Sequence, residues 1–252
     1  MPDRRRILIL GGTADARAIA ERLVAAHGGT LDVETSLAGR VRSPLRPPGR
    51  VRTGGFGGAA GLAAHLREQA VAAVIDATHP FAARMSAHAR AACDACGIPR
   101  VQVRRPEWPR TPGDRWIETD TVAEAAARLP AAGRRPFLTV GIGELAPFAD
   151  RFDLWCLVRV VDPPAAPLLR GPHRTIAARG PFAPDDERRL MAEAEIDVLV
   201  TKHAGGTATF AKIAAARELG LPVLMVRRPP PESGDAAAPD AVEDWLAAQG
   251  LI

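Results

Sequence analysis

The 252-residue chain has no tyrosine. That absence excludes the short-chain class of NADP(H) oxidoreductases that works through a Tyr-x-x-x-Lys pair. Aromatic residues make up only 4%. Base-stacking platforms are therefore poor, and no nucleic-acid partner is expected despite a net charge of +4. The basic residues are spread along the chain and form no long block. Cys93, Cys96 and Cys156 are the three cysteines, an odd and small number that makes no disulfide framework. "CDAC" (93–96) is formally a C-x-x-C, but it closes a helical pattern before Gly97, whereas a redox pair belongs at a helix N-terminus. No second pair completes a zinc site, and no metal is expected. Long apolar runs are missing too. "RILIL" near the start is too short for a secretory segment and ends in glycines, and no stretch approaches a membrane span. A cytoplasmic chain without a membrane partner is the expectation. Lysine is nearly absent. Of 33 basic side chains only Lys202 and Lys212 are lysines, and both lie in "TKHAGGTATFAK" (201–212).

Hydrophobic residues reach 47% and charged residues 25%, ample for a core in one large domain or two small ones. Strand and helix signals alternate throughout. "RILIL" (6–10), "LDVETS" (31–36), "RVRT" (50–53), "VAAVIDAT" (71–78) and "RVQVRR" (100–105) read as strands. Helical patterns stand between most of them. "RPEWPRTPGDR" (105–115), dense in proline and charge, reads as a linker. Strands are predicted again at "WIET", 136–141, 154–161, 174–180, 196–201 and 222–228, with a closing helix at "DAVEDWLAAQ". "PPPESGDAAAP" before it reads as a surface loop. Continuous apolar strands joined by helices mean mostly parallel sheets covered on both faces. The expected class is α/β in two tandem units, 1–108 and 109–252.

"ILILGGTADAR" is strand, glycine turn, helix. Gly11-Gly12-Thr13 lets backbone N–H groups approach a pyrophosphate, although only two of the fingerprint glycines are present. The second strand ends in Thr35-Ser36, followed by Gly39-Arg40. A hydroxyl plus an arginine suits a 2′-phosphate, which points to NADPH over NADH. "DATHPFA" (76–82) ends a buried strand, which places Thr78, His79 and Pro80 at the edge of a ligand crevice.

Lys202 follows the buried strand "IDVLVT". Gly205-Gly206-Thr207 is read as opening a helix whose N-terminus offers free N–H groups. Lys212, a turn and a half further, is either a second cation of the same site or a solvated helix lysine. "TVGIGE" (139–144) occupies the equivalent place after another strand, so Gly141 and Gly143 are candidate backbone contacts.

"ILILGGTADAR", "SLAGR", "GGFGG", "DATHPFA" and the distal "TKHAGGTATFAK", in that order, resemble the precorrin-6A reductase family of cobalamin biosynthesis. The resemblance spans nearly the whole chain. It implies NADPH-dependent reduction of one ring double bond of a tetrapyrrole, precorrin-6A to precorrin-6B. It also implies two Rossmann-like domains with an interdomain cleft holding the active site. The substrate would be a polycarboxylate tetrapyrrole, and the product would be handed to other corrin enzymes. On this reading Arg17 joins the turn residues, Ser36, Gly39, Arg40 and the Thr78–Pro80 stretch around the cofactor. Gly141, Gly143, Lys202, Gly205, Gly206, Thr207 and Lys212 face the substrate. Reducing the double bond also takes a proton, for which His79 and Lys202 are the candidates. Two other readings compete. A non-redox tetrapyrrole enzyme of two α/β domains has no use for the Ser36/Arg40 pair, and an NADPH-sensing regulator has none for an anion site in the second domain.

Overall fold

The computed structural model describes residues 4–39, 45–162, 164–231 and 233–252. They form two compact units, Met1–Pro106 with Pro229–Ile252, and Glu107–Arg228.

The first unit runs β1 (Arg5–Leu10), α1 (Ala14–His27), β2 (Leu31–Leu37), β3 (Arg50–Thr53), α2 (Ala59–Glu68), β4 (Val71–Asp76), α3 (Ala83–Cys96) and β5 (Arg100–Val103). Its strands are parallel. Ile7 and Ile9 of β1 pack with Ile19 and Leu23 of α1 on one face, while Leu8 and Leu10 pack with Leu62 and Leu66 of α2 on the other. Covering on both faces is why "RILIL" is apolar without alternation. Thr13 starts α1 as an N-cap, its side chain accepting from Ala16 N.

The second unit runs β6 (Arg115–Thr119), α4 (Val122–Ala132), β7 (Pro136–Leu138), β8 (Cys156–Val160), β9 (His173–Ala177), α5 (Pro184–Glu193), β10 (Val198–Lys202), α6 (Ala211–Glu218) and β11 (Pro222–Val226). Thr121 caps α4 by accepting from Glu124 N, and the Glu124 side chain accepts from Asp120 N, just before the cap, at 2.8 Å. Phe137, Leu157, Leu199, Ile213 and Val223 anchor its core.

The sheet orders are β12-β5-β4-β1-β2-β3 and β6-β11-β10-β7-β8-β9. They superpose as one pattern. β7-β8-β9 runs as β1-β2-β3, and β10-β11 as β4-β5. The sixth strand of each sheet is exchanged. β6 follows β5 in the chain yet lies beside β11. β12 (Asp235–Ala237) follows β11 yet pairs with β5, with Asp235 opposite Val101 and Ala237 opposite Val103. The last stretch of the chain, expected within a second domain 109–252, thus sits in the first unit. "PPPESGDAAAP", expected as a surface loop, contains this strand. Asp-Ala-Ala carries no strand propensity of its own; the open edge of β5 supplies the pairing. The following α7 (Val242–Ala248) buries Val242 and Leu246 against the first core. These two side chains together contribute about 3–6 kcal/mol to the docking.

Candidate active site

In each sheet the chain moves outward from a first strand to one side and then returns to its other side. The reversal in the first unit lies between β1 and β4, where Leu10 stands opposite Asp76. In the second it lies between β7 and β10, where Leu138 stands opposite Val200. Ligands of open α/β sheets bind at the carboxyl ends of strands at such reversals.

In the first unit the turn Gly11-Gly12-Thr13 and the stretch after β4 meet there. Thr13 Oγ donates to Ala77 O at 2.7 Å, so one side chain caps α1 and ties the turn to β4. A Cβ on Gly11 would stand 2.8 Å from Thr35 Cγ2, which holds β1 and β2 at glycine-only separation. Gly12 has φ +101° and open space where a Cβ would be, so a ligand phosphate can approach its backbone. Asp15 puts a carboxylate in the first turn of α1, and Arg105 Nε lies 2.9 Å from it. Arg17 stands on the exposed side of α1 with Glu21 at 3.8 Å.

The end of β2 joins the same edge. Gly11 N donates to Ser36 O at 2.9 Å. The Ser36 hydroxyl accepts from Arg52 Nη1 at 2.8 Å. Arg52 also donates to the carbonyls of Gly54 and Gly55, and its guanidinium lies 3.8 Å over the Phe56 ring. Arg52 escaped the sequence reading, which looked for its cation at Arg40. Arg40 lies outside the described residues. The strand pairing of β3 with β2 puts Arg52 in register with Ser36. Gly39 follows with φ +73°. Both carboxylates inside β2 are engaged elsewhere. Asp32 pairs with Arg6 at 2.9 Å, and Glu34 lies 3.4 Å from His65.

After β4, Asp76 Oδ1 accepts from Thr78 Oγ at 2.7 Å and from Thr78 N at 3.3 Å. His79 is exposed, and its Nδ1 accepts from Phe81 N at 3.3 Å. That contact assigns the proton of the neutral ring to Nε2. Pro80 follows in the turn leading to α3.

In the second unit Lys202 is the last residue of β10, and its Nζ lies 3.4 Å from Glu144 Oε1. Glu144 belongs to the 3-10 turn Ile142–Glu144, which Gly141 begins; β7 itself stops at Leu138, short of the predicted 141. Thr139 N donates to Val200 O at 3.0 Å and fastens this loop to β10. No atom comes within 4 Å of a Cβ placed on Gly141 or Gly143.

Residues 203–210 differ from expectation. Gly205 and Gly206 have φ of +69° and +67°, successive left-handed residues that make a turn rather than a helix start. α6 begins at Ala211, so Gly205-Gly206-Thr207 does not form its N-terminus. Lys212 lies in the first turn and is not a solvated lysine. It is 6% exposed, donates to Thr209 O at 3.0 Å and stands 5.2 Å from the Trp108 ring centroid. Burial, reinforced by the Arg159 charge and opposed by Glu187, pushes its pKa down to about 7. Trp108 stacks on His203 and donates through Nε1 to Gly206 O. Trp108 thus ties down the turn at Gly206, and Lys212 ties down Thr209 just after it.

Arg159 and Glu187 form a buried fork-to-fork pair at 2.9 and 2.6 Å. The rings of Phe137 and Phe182 lie 4.7 and 4.0 Å from the guanidinium. Burial raises the thiols of Cys93 and Cys156 to about 12 and about 11, so neither offers a thiolate. Among the described residues no group of three or more His, Cys, Asp or Glu could hold a metal ion. No described helix is long and apolar enough to cross a membrane.

Two doubly wound parallel sheets, with a glycine turn at the reversal of one and a lysine at the reversal of the other, define a two-unit α/β protein of the Rossmann-like class. The family model described as "Precorrin-6x reductase CbiJ/CobK" matches residues 6–247. The chain is 53% identical to the precorrin-6A reductase of Rhodococcus erythropolis, covering 89% of this chain and 90% of that one. It is 46% identical to the precorrin-6A reductase of Sinorhizobium sp, covering 91% and 87%. A solved structure described as "CobK precorrin-6A reductase" is similar with a TM-score of 0.92 and 41% identity, covering 98% of this chain and 97% of that one. The chain belongs to the precorrin-6x reductase family and is an oxidoreductase.

Proposed function

We propose that this chain uses NADPH to reduce one ring double bond of precorrin-6A, giving precorrin-6B. Family membership and the 0.92 TM-score support the reaction class. The observation that carries the cofactor is the junction of Gly11–Thr13 with Thr78–His79 at the β1/β4 reversal, closed by the Thr13-to-Ala77 hydrogen bond.

The residues fit a nicotinamide dinucleotide. The open backbone at Gly12 and the start of α1 receive the pyrophosphate. Ser36 and Arg52 favour a 2′-phosphate, while the two β2 carboxylates lie inside the strand beside Arg6 and His65 rather than at its end. NADPH supplies the hydride; the protein orients the ring and shields it from water. Thr78, held by Asp76, and Pro80 border the nicotinamide end.

In the second unit Lys202, the 141–144 loop and the Gly205–Gly206–Thr207 turn receive carboxylate arms of the macrocycle. Lys212 ties down Thr209 just after that turn. Reduction takes up a proton, and His79 through Nε2 or Lys202 through its ammonium supplies it.

Anaerobic incubation with NADPH and precorrin-6A, followed by NADPH absorbance and product mass, tests the reaction. A gain of two hydrogens with matched NADPH loss is expected, and NADPH loss without that gain refutes it. Lys202→Met should raise the KM for precorrin-6A or lower kcat by about a hundredfold while NADPH affinity is retained. Unchanged steady-state kinetics would remove Lys202 from the site.

A further inference from the structure

Arg100 of β5 is a buried cation whose partners come from two distant stretches of the chain. Its Nη2 donates to Ser233 O at 2.9 Å, just before β12. Its Nη1 lies 3.8 Å from Asp76 Oδ2, where the two side chains are 5% and 0% exposed. Asp76 in turn accepts both the backbone N–H and the hydroxyl of Thr78. A continuous line of polar contacts therefore joins the returning C-terminal segment to the stretch that carries Thr78 and His79.

The chemistry of the pair makes this line hard to replace. Asp76 is buried and accepts twice from Thr78, and a buried carboxylate needs a countercharge. Arg100 meets that need with one end of its guanidinium while the other end holds Ser233. A lysine has a single ammonium and cannot serve both places at once. Cys93 of α3 faces the same two charges, but its thiol, raised to about 12, contributes none. The opposite side of the contact is also close. Gly234 has φ +111°, and a Cβ there would stand 3.4 Å from Arg100 Nη2.

We propose that Arg100 is a positioning residue that couples docking of the C-terminal segment to the placement of Thr78, so that cofactor affinity depends on β12. This rests on the reading that Thr78 borders the nicotinamide cofactor. The sixth strand of the first sheet arrives from the far end of the chain, and Arg100 reports its arrival to the cofactor edge.

Full-length Arg100→Lys, Gly234→Ala and Thr78→Ala proteins test the coupling by NADPH titration, amide hydrogen exchange and thermal unfolding. Arg100→Lys keeps the charge beside Asp76 and should stay folded. Its NADPH dissociation constant should rise about tenfold, its KM for precorrin-6A should hold, and exchange should quicken both at 235–237 and at 78–79. Gly234→Ala disturbs the same contact from the other partner and should reproduce this result if the lysine variant fails to fold. Faster exchange confined to 235–237, with wild-type NADPH affinity, overturns the coupling. Thr78→Ala separates the two readings. If it weakens NADPH binding while the Arg100 and Gly234 variants do not, the cofactor reading stands and the coupling falls. If it leaves NADPH binding untouched, the cofactor reading falls and takes the coupling with it.

Discussion

The first unit meets its reversal with backbone and hydroxyls, the second with charge. At β1/β4 the named groups are Gly11, Gly12, Thr13, Ser36 and Thr78, with Arg52 beside Ser36 as the one described guanidinium there. At β7/β10 the named group is Lys202, with Glu144 beside it and the Arg159–Glu187–Lys212 cluster in the interior. One strand order serves both. A pyrophosphate is held well by N–H groups at a helix start, which need glycine and a cap. Flexible carboxylate arms need cations that project. The fold supplies the place, and residue chemistry at the strand ends supplies the ligand class.

The comparison is most severely tested at Glu187. Glu187→Gln leaves Arg159 as a buried charge without its counterion and should destabilise the second unit by about 3–5 kcal/mol. Urea unfolding followed by tryptophan fluorescence should show this, because three of the four tryptophans, Trp108, Trp116 and Trp155, lie in the second unit. NADPH binding by the first unit should persist at urea concentrations that unfold the second. Loss of both together would mean that the units do not behave separately.

A smaller effect concerns Lys212. Its pKa in the folded chain is about 7, below the ordinary value of 10.5. Between those values the unfolded chain holds a proton that the folded chain lacks. Lys212 should therefore make stability rise with pH from about 7 and leave it flat, at its lower level, below that; above about 9 the buried Cys93 and Cys156 thiols, which ionise in the unfolded chain before the folded one, act in the opposite direction. The span is on the order of a few kcal/mol. The charged neighbours of Lys212 are Arg159 on β8 and Glu187 on α5. Urea midpoints between about pH 7 and 9, below the thiol range, should lose the slope in Lys212→Met; a slope that survives there places its origin elsewhere.

The smallest effect belongs to Arg52. Arg52→Ala should weaken NADPH roughly tenfold, the scale of one hydrogen bond to a charged group, and change NADH little. Parallel titrations check it. Equal losses for both nucleotides would show that Arg52 shapes the loop alone and reads no phosphate.

Much of this architecture was legible residue by residue. β1, β4 and β10 announce themselves as apolar runs. Lys202 was placed at a strand end by "IDVLVT" alone. Arg52 was missed because its relation to Ser36 depends on strand register. The start of α6 was misjudged because two successive left-handed glycines look, in sequence, like any glycine-rich helix entry. Lys212 was left open because a lysine on an eight-residue helix reads the same whether the packing faces it or not.

The sequence by itself determined most of the strands and helices and the stretches that bring glycine, histidine and lysine to strand ends, since these follow from local periodicity and backbone preference. Tertiary structure alone decided that β12 joins β5 and β6 joins β11. A three-residue Asp-Ala-Ala strand has no preference strong enough to specify a partner. It is held by the edge hydrogen bonds of β5, the burial of Val242 and Leu246, and the grip of Arg100 on Ser233. Those interactions exist only after the chain has folded back on itself.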